Sequence, residues 1–267
     1  LYSGSMTKTT AENACLTYTG TLTGNNVVYD LPGFSSYVLS NITVSSGATL
    51  QSSEQTLKGS FSGIYGLVDV KGGALTLTYQ SGYHTTVKYG GQLRVKDAIL
   101  TNDNSYSRIK VETGGKLDLD GITSDCKDAY EFFISISTGA EAVIDNSTFN
   151  SRIENSGLLS VSESSFTGDF VSTGNSNITD STFKNASITG KGTVSGSTFS
   201  SLTLGKINAV VDNVTTATLT VSGGANFANI SNMTITGNNA ITLSNAAGDD
   251  LRKLLYNGST TKTTAEN

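Results

Sequence analysis

The residues of this sequence best suited to chemistry are a group of carboxylates with two cations at neighbouring outward positions. The group comprises Asp118, Asp120, Asp125, Asp128 and Glu131, with Arg94 and Lys96 as the cations. Cleavage of acidic polysaccharides uses clustered carboxylates, often with calcium, and a cationic base or charge clamp. A polysaccharide lyase or hydrolase is therefore one hypothesis for the function.

A solvent-exposed ladder of opposite charges explains the same residues more simply. Asp118 and Asp120 alternate with Leu117 and Leu119, so both carboxylates point outward from one predicted strand. Opposite charges on adjacent strands commonly pair. With four arginines and one histidine in the whole chain, few residues remain for acid–base chemistry. We therefore expect no catalytic residues, no metal and no cofactor, and keep the enzyme as the alternative.

Three polar loops, each with one tyrosine, form a second group of candidates. Loops on a rigid scaffold are where binding residues concentrate, and Tyr with Asn, Ser and Arg is a common recognition composition. The alternative is that these tyrosines only cover the side of the fold. The residues predicted to bind a partner are Tyr83, His84, Tyr106, Arg108, Lys127 and Tyr130.

A repeated phrase that ends in phenylalanine indicates the fold that must position these residues. Phe149, Phe166, Phe183 and Phe199 each end a phrase of the type Val/Ile-x-x-Ser-Thr/Ser-Phe, at spacings of 17, 17 and 16 residues. A period this short holds about one coil of a β-solenoid. We expect the four rings to form an internal aromatic ladder.

Strand–glycine–strand units continue the pattern on the N-terminal side. The corners Gly72-Gly73, Gly90-Gly91 and Gly114-Gly115 each separate two arms in which Val, Ile or Leu alternates with polar residues. Parallel β crossovers prefer the right hand. The predicted fold is an all-β, right-handed parallel β-helix of about 10–11 coils, about 50 Å long at the usual strand spacing.

Four segments are predicted along the chain. Residues 1–40 form an N-terminal cap with the first coils, and residues 41–247 form the β-helix stack. Residues 248–258 contain helically spaced Leu251, Leu254 and Leu255, followed by Asn-Gly, which predicts a short capping helix. Residues 259–267 are interpreted as the start of a further repeat.

The two ends of the sequence repeat each other. Residues 1–13 and 255–267 agree at eleven of thirteen positions, at an offset of 254. We expect one unit of a tandem array, with adjacent identical repeats as partners in the same chain. Enzymes seldom need identical copies in series, whereas surface stalks do.

Charge and cysteine content narrow the classes further. The net charge is −5 and the basic residues are scattered, which argues against a nucleic-acid partner. No apolar run approaches the roughly 20 residues needed to cross a bilayer, so we expect no membrane insertion. Cys15 and Cys126 are several predicted coils apart, so both are expected to be unpaired thiols.

The Gly-Gly corners, the Ser-Thr-Phe coils and the Ser/Thr/Asn-rich composition resemble the β-helix of large bacterial surface proteins. These include autotransporter passengers and filamentous-haemagglutinin-like adhesins, and the resemblance covers most of residues 40–245. It implies secretion to an extracellular or bacterial cell-surface location and a role in attachment or as a spacer. The expected partner is a protein or glycan on a host or neighbouring cell, and no catalytic residue carries over.

Overall fold

The computed structural model describes residues 11–31, 34–79, 84–104, 106–126, 133–205, 208–222, 230–237, 241–244, 256–257, 261–262 and 264–265. Within these ranges the chain is a parallel β-solenoid of about ten coils, with one 27-stranded sheet and one separate two-stranded hairpin. The predicted all-β parallel β-helix is confirmed. Its right hand stays a prediction.

The strands of successive coils pair in parallel along three lines, here called faces one, two and three. Face one contains β2 (Val27–Asp30), β4 (Ala48–Ser53), β6 (Leu67–Lys71), β9 (Gln92–Lys96), β12 (Lys116–Asp120), β15 (Glu141–Asp145), β18 (Leu158–Ser162), β20 (Asn175–Thr179) and β22 (Lys191–Ser195). Face two contains β7 (Ala74–Leu77), β10 (Ile99–Asn102), β13 (Thr123–Asp125), β16 (Thr148–Phe149) and β29 (Thr264–Ala265). Face three contains β8 (Thr85–Val87), β11 (Ile109–Val111), β14 (Ile134–Ile136), β17 (Ile153–Asn155) and β26 (Ile241–Ser244).

Longer strands pass from one face to the next. Those shared by faces two and three are β1 (Ala11–Leu22), β3 (Phe34–Val44), β5 (Thr56–Ile64), β19 (Ser165–Ser172), β21 (Thr182–Ile188) and β23 (Thr198–Leu204). The strand β24 (Asn208–Ser222) pairs along all three faces, and β25 (Ile230–Ile235) along faces one and two.

Alternation of side chains explains why these segments form stacked strands. In β12, Leu117 and Leu119 are buried while Lys116, Asp118 and Asp120 lie outside. The same register is kept in the coils on either side, so each buried residue contacts its equivalents above and below. One continuous apolar core therefore runs through the stack.

The predicted phenylalanine ladder is present inside the stack. Adjacent rings are stacked, with centroid separations of 5.5 Å for Phe149–Phe166, 4.7 Å for Phe166–Phe183 and 5.0 Å for Phe183–Phe199. Phe170 packs edge-on against Phe183 at 5.1 Å. The rings fill the interior behind face two in the coils that have the fewest residues.

A column of buried serines turns the chain from face one to face two. The backbone N–H of Ser147 donates to Ser164 Oγ, Ser164 N–H to Ser181 Oγ, and Ser181 N–H to Ser197 Oγ, all at 3.1 Å. Each corner begins one residue earlier with a positive φ, as at Asn146 (φ 45°). The hydroxyls therefore satisfy backbone donors that a tight corner leaves inside the protein.

Coil length changes sharply at face one of β15. Residues paired across adjacent coils of face one are 24 or 25 positions apart between β6 and β15, and 16 or 17 apart between β15 and β22. Close to the change, the amide of buried Asn155 donates to Ser172 Oγ and Ser176 Oγ, both at 3.1 Å, and accepts from the N–H of Gly157 at 2.9 Å. This hydrogen-bond network satisfies the buried amide of Asn155 at the point where the coils become shorter in sequence.

The structure does not show the C-terminal helix predicted for 248–258. Residues 248–255 lie outside the described residues, and Tyr256–Asn257 form strand β27, which pairs antiparallel with β28 (Thr261–Lys262). Within the described ranges there is no helix, and hence none long and apolar enough to cross a membrane.

Candidate functional site

Three long connections leave the stack at a single corner. They join β7 to β8, β10 to β11 and β13 to β14, and the strands on both sides of each connection pair with those of the next coil. The extra residues of the long coils are therefore placed between faces two and three. The predicted binding residues belong to these connections, whose flanking strands lie at the same corner of the stack.

Half of the predicted binding residues can be located. His84, Tyr106 and Arg108 are among the described residues, whereas Tyr83, Lys127 and Tyr130 lie outside them. Because Thr85 pairs with Ile109, His84 and Arg108 precede equivalent positions on adjacent coils. Their role in binding stays a prediction.

His84 and Tyr106 meet in a small aromatic cluster. His84 Nδ1 lies 3.1 Å from the carbonyl oxygen of Tyr106, and the ring centroid of Tyr79 is 5.7 Å from that of His84 and 5.6 Å from that of Tyr106. Tyr106 is 51% exposed. The cluster presents an aromatic surface to solvent next to polar loop atoms, which suits recognition of a protein or sugar.

Loop hydrogen bonds fix the position of Tyr106. Its N–H donates to Asn104 Oδ1 at 2.9 Å, and Ser107 Oγ lies 3.0 Å from Asp103 Oδ1. Arg108, by contrast, is only 8% exposed. Arg108 is therefore a buried residue at the base of the loop. Tyr106 of this loop and His84 of the preceding connection are the residues placed to contact a partner.

Tyr79 is the member of the cluster that the sequence analysis missed. It lies two residues after the end of β7, before the polar segment that contains Tyr83, and is therefore absent from the predicted binding residues. Its signal in the sequence is weak, because a tyrosine after a strand is usually a packing residue. Only the pairing of adjacent coils shows that it reaches Tyr106.

The charged residues form the ladder that the simpler interpretation predicted. Arg94 lies between Asp69 and Asp118, with Nη1–Oδ2 at 3.4 Å and Nε–Oδ2 at 3.5 Å. Lys96 Nζ is 2.6 Å from Asp120 Oδ2, and this hydrogen bond raises the pKa of Lys96. Both carboxylates therefore have a cation from the preceding coil as a partner.

The acidic cluster is not assembled as one site among the described residues. Asp118 and Asp120 point outward from face one, whereas Asp125 is exposed at the end of β13 on face two. Asp128 and Glu131 lie outside the described residues. In the part of the chain that the structure describes, no three His, Cys, Asp or Glu side chains are placed to hold a metal ion.

Both cysteines are free, as expected. Cys15 is exposed, and Cys126 is buried at the end of β13, where Ser124 Oγ donates to its Sγ at 3.3 Å. Burial raises the pKa of the Cys126 thiol to about 12. Cys126 is therefore a protonated packing residue at neutral pH and a poor nucleophile.

Comparison with known proteins adds no relative from which a role could be inferred. No family model, curated protein or solved structure matches this chain.

Proposed function

We propose that this chain is a non-enzymatic repeat domain of a secreted or cell-surface bacterial adhesin, which acts as a rigid stalk and carries a binding surface for a protein or glycan. A solenoid with a continuous core resists bending and keeps loops at fixed positions along its length. The resemblance of the Gly-Gly corners and Ser-Thr-Phe coils to bacterial surface proteins supports the location.

One observation carries the binding part of the proposal. The long connections occupy the same corner on three successive coils, and the described part of two of them forms the cluster of Tyr79, His84 and Tyr106. Loops that only compensate for chain length would not need to share one corner. Loops that build a joint recognition surface would.

Replacement of the loop tyrosines tests this proposal. A Tyr83→Ala, Tyr106→Ala, Tyr130→Ala variant is expected to lose binding to bacterial or host cells, while its melting temperature stays within a few degrees of the parent. Tyr89→Ala is the matched control, because Tyr89 is 79% exposed and lies outside the three connections. Unchanged binding by the triple variant would reduce these tyrosines to surface covering.

The enzyme alternative makes a different prediction. A lyase or hydrolase would release unsaturated or reducing sugars from acidic polysaccharides, and Asp118→Asn would abolish that release. On our proposal no sugar is released from polygalacturonate or similar acidic polymers at any enzyme-like rate. Detection of Asp118-dependent release would replace the adhesin proposal with the enzyme.

A further inference from the structure

In the coils that follow the three long connections, the corner between faces two and three contains a groove of about 260 Å³. It begins at Arg152, on the coil that follows the last connection. Its walls and floor belong to strands β19, β21 and β23 of the short coils, which pass from face two to face three without a loop. The residues that line it are Arg152, Asp169, Phe170, Val171, Asn185, Ala186, Ser187, Ser201 and Thr203.

Two outward columns of side chains form the groove. Asp169, Asn185 and Ser201 occupy one register position on three successive coils. Val171, Ser187 and Thr203 occupy another, two residues further along each strand. Between the columns Phe170 and Ala186 point inward and leave only backbone, so the floor is shallow and follows the axis of the stack.

The polar groups of the groove are incompletely paired. Asn185 Nδ2 donates to Asp169 Oδ1 at 3.0 Å, and Arg152 Nη2 lies 2.6 Å from Glu154 Oε1. Arg152 Nε is buried without a hydrogen-bond partner among the described residues. A buried donor in this state is costly unless a water or ligand accepts its hydrogen.

Donors and acceptors alternate over a small area. The guanidinium and the hydroxyls of Ser187 and Thr203 can donate, whereas Asp169 and the carbonyl of Asn185 can accept. Val171 adds an apolar surface beside them. This mixture matches the hydroxyls and C–H faces of a sugar.

The charges argue against an acidic ligand. Arg152 is already paired with Glu154, and Asp169 leaves the groove with a net negative charge. An anionic polymer would be repelled. A neutral polyhydroxylated ligand meets no such penalty.

We infer that this groove binds a neutral polysaccharide that lies along the axis of the stack. The two columns have one position on each coil, about 4.8 Å apart, so consecutive sugar units of one chain meet polar side chains at equivalent positions on consecutive coils. The inference gives the proposed adhesin a ligand class and a site distinct from the loop tyrosines. It does not require those tyrosines to bind.

Affinity electrophoresis of the full chain tests the groove. The gels would contain mannan, galactomannan or mixed-linkage β-glucan as neutral probes, and polygalacturonate as the acidic probe. At least one neutral polymer is expected to retard the wild-type chain. Ser187→Trp fills the groove and is expected to abolish retardation, and Asp169→Asn should weaken binding about tenfold, as for a lost charge-assisted hydrogen bond.

Ser160→Trp is the matched control, because Ser160 is an outward strand serine on face one, one coil before Ser187. It should keep full retardation, and melting temperatures would confirm that all variants fold. No retardation by any neutral polymer, retardation by polygalacturonate alone, or retardation that survives Ser187→Trp would each overturn the inference. The variant lacking Tyr83, Tyr106 and Tyr130 separates the two sites: loss of retardation there would assign the sugar to the loops and overturn the groove.

Discussion

The coils before and after β15 are two versions of one architecture. Between β6 and β15 each coil has 24 or 25 residues, an aliphatic interior and ion pairs outside. Between β15 and β23 each coil has 16 or 17 residues, with stacked phenylalanines inside and serines in its corner. The parallel register continues through the change without a break.

Residues at equivalent positions show how the long coils and the short coils fill the same interior and corner. Leu75 and Leu100 occupy the interior column that Ser124, Phe149 and Phe166 continue. Ile122 holds the corner position at which the next coil has Ser147. Thus side chains of different volume and polarity occupy the same place while the strands keep their pairing.

The difference teaches where this fold tolerates variation. All three faces stay in register, so extra residues can be inserted only at corners, and in the long coils they are inserted between faces two and three. In the long coils that corner carries the loops, and in the short coils it carries the open groove. The side of the molecule that varies most in length is therefore the side on which we place both binding proposals.

The largest expected effect is that of breaking the aromatic ladder of the short coils. Phe183→Ala should lower the free energy of unfolding by about 3–5 kcal/mol, because it removes a ring that contacts Phe166, Phe170 and Phe199 and leaves a cavity. Urea unfolding measures the change. Thr182→Ala, on the exposed side of the same strand, should cost less than about 0.5 kcal/mol. A near-neutral Phe183→Ala would show that the short coils do not depend on the ladder.

A smaller effect is expected at the serine corner. Ser164→Ala removes the oxygen that accepts from the Ser147 N–H at 3.1 Å. It leaves a buried donor unpaired and should cost about 1–3 kcal/mol. Ser165→Ala, one residue further and partly exposed, is the control for loss of a hydroxyl. Equal stability of the two variants in urea would contradict a specific role for the buried column.

The smallest effect is expected in the ion pairs of the long coils. Asp118→Asn weakens the contact with Arg94, and both side chains are more than a third exposed. The cost should be below about 1 kcal/mol and should shrink further in high salt, because solvent and ions screen exposed pairs. Thermal unfolding at two salt concentrations measures it. A loss as large as that of Phe183→Ala would mean that the long coils depend on charge for their stability.

Repetition made the solenoid and its ladder predictable. Phe149 and its equivalents repeat at the coil length, and Leu117-Asp118-Leu119-Asp120 alternates with the strand period, so sequence alone identified the interior, the exterior and the charged ladder. Corner serines were harder to recognise, because a buried serine and an exposed one look alike until the corner geometry is known.

The features that the sequence did not predict depend on contacts between adjacent coils. The meeting of Tyr79 with Tyr106, and the groove at Arg152, depend on which residues of adjacent coils share a register, and coils of unequal length hide that register in the sequence. The predicted C-terminal helix relied on the local spacing of Leu251, Leu254 and Leu255. Those three residues lie outside the described ranges, so the helix stays a prediction, and within its predicted range the structure describes only Tyr256 and Asn257, which form a strand.

Parallel pairing of each coil with the next has a mechanical consequence. A force that pulls the two ends apart along the axis loads the coil boundaries in series, so the weakest boundary opens first while the others stay closed. Each released coil would lengthen the chain by about 55–85 Å, depending on its residue count. A tether built this way yields in steps under load, and it keeps most of its length folded while it absorbs work.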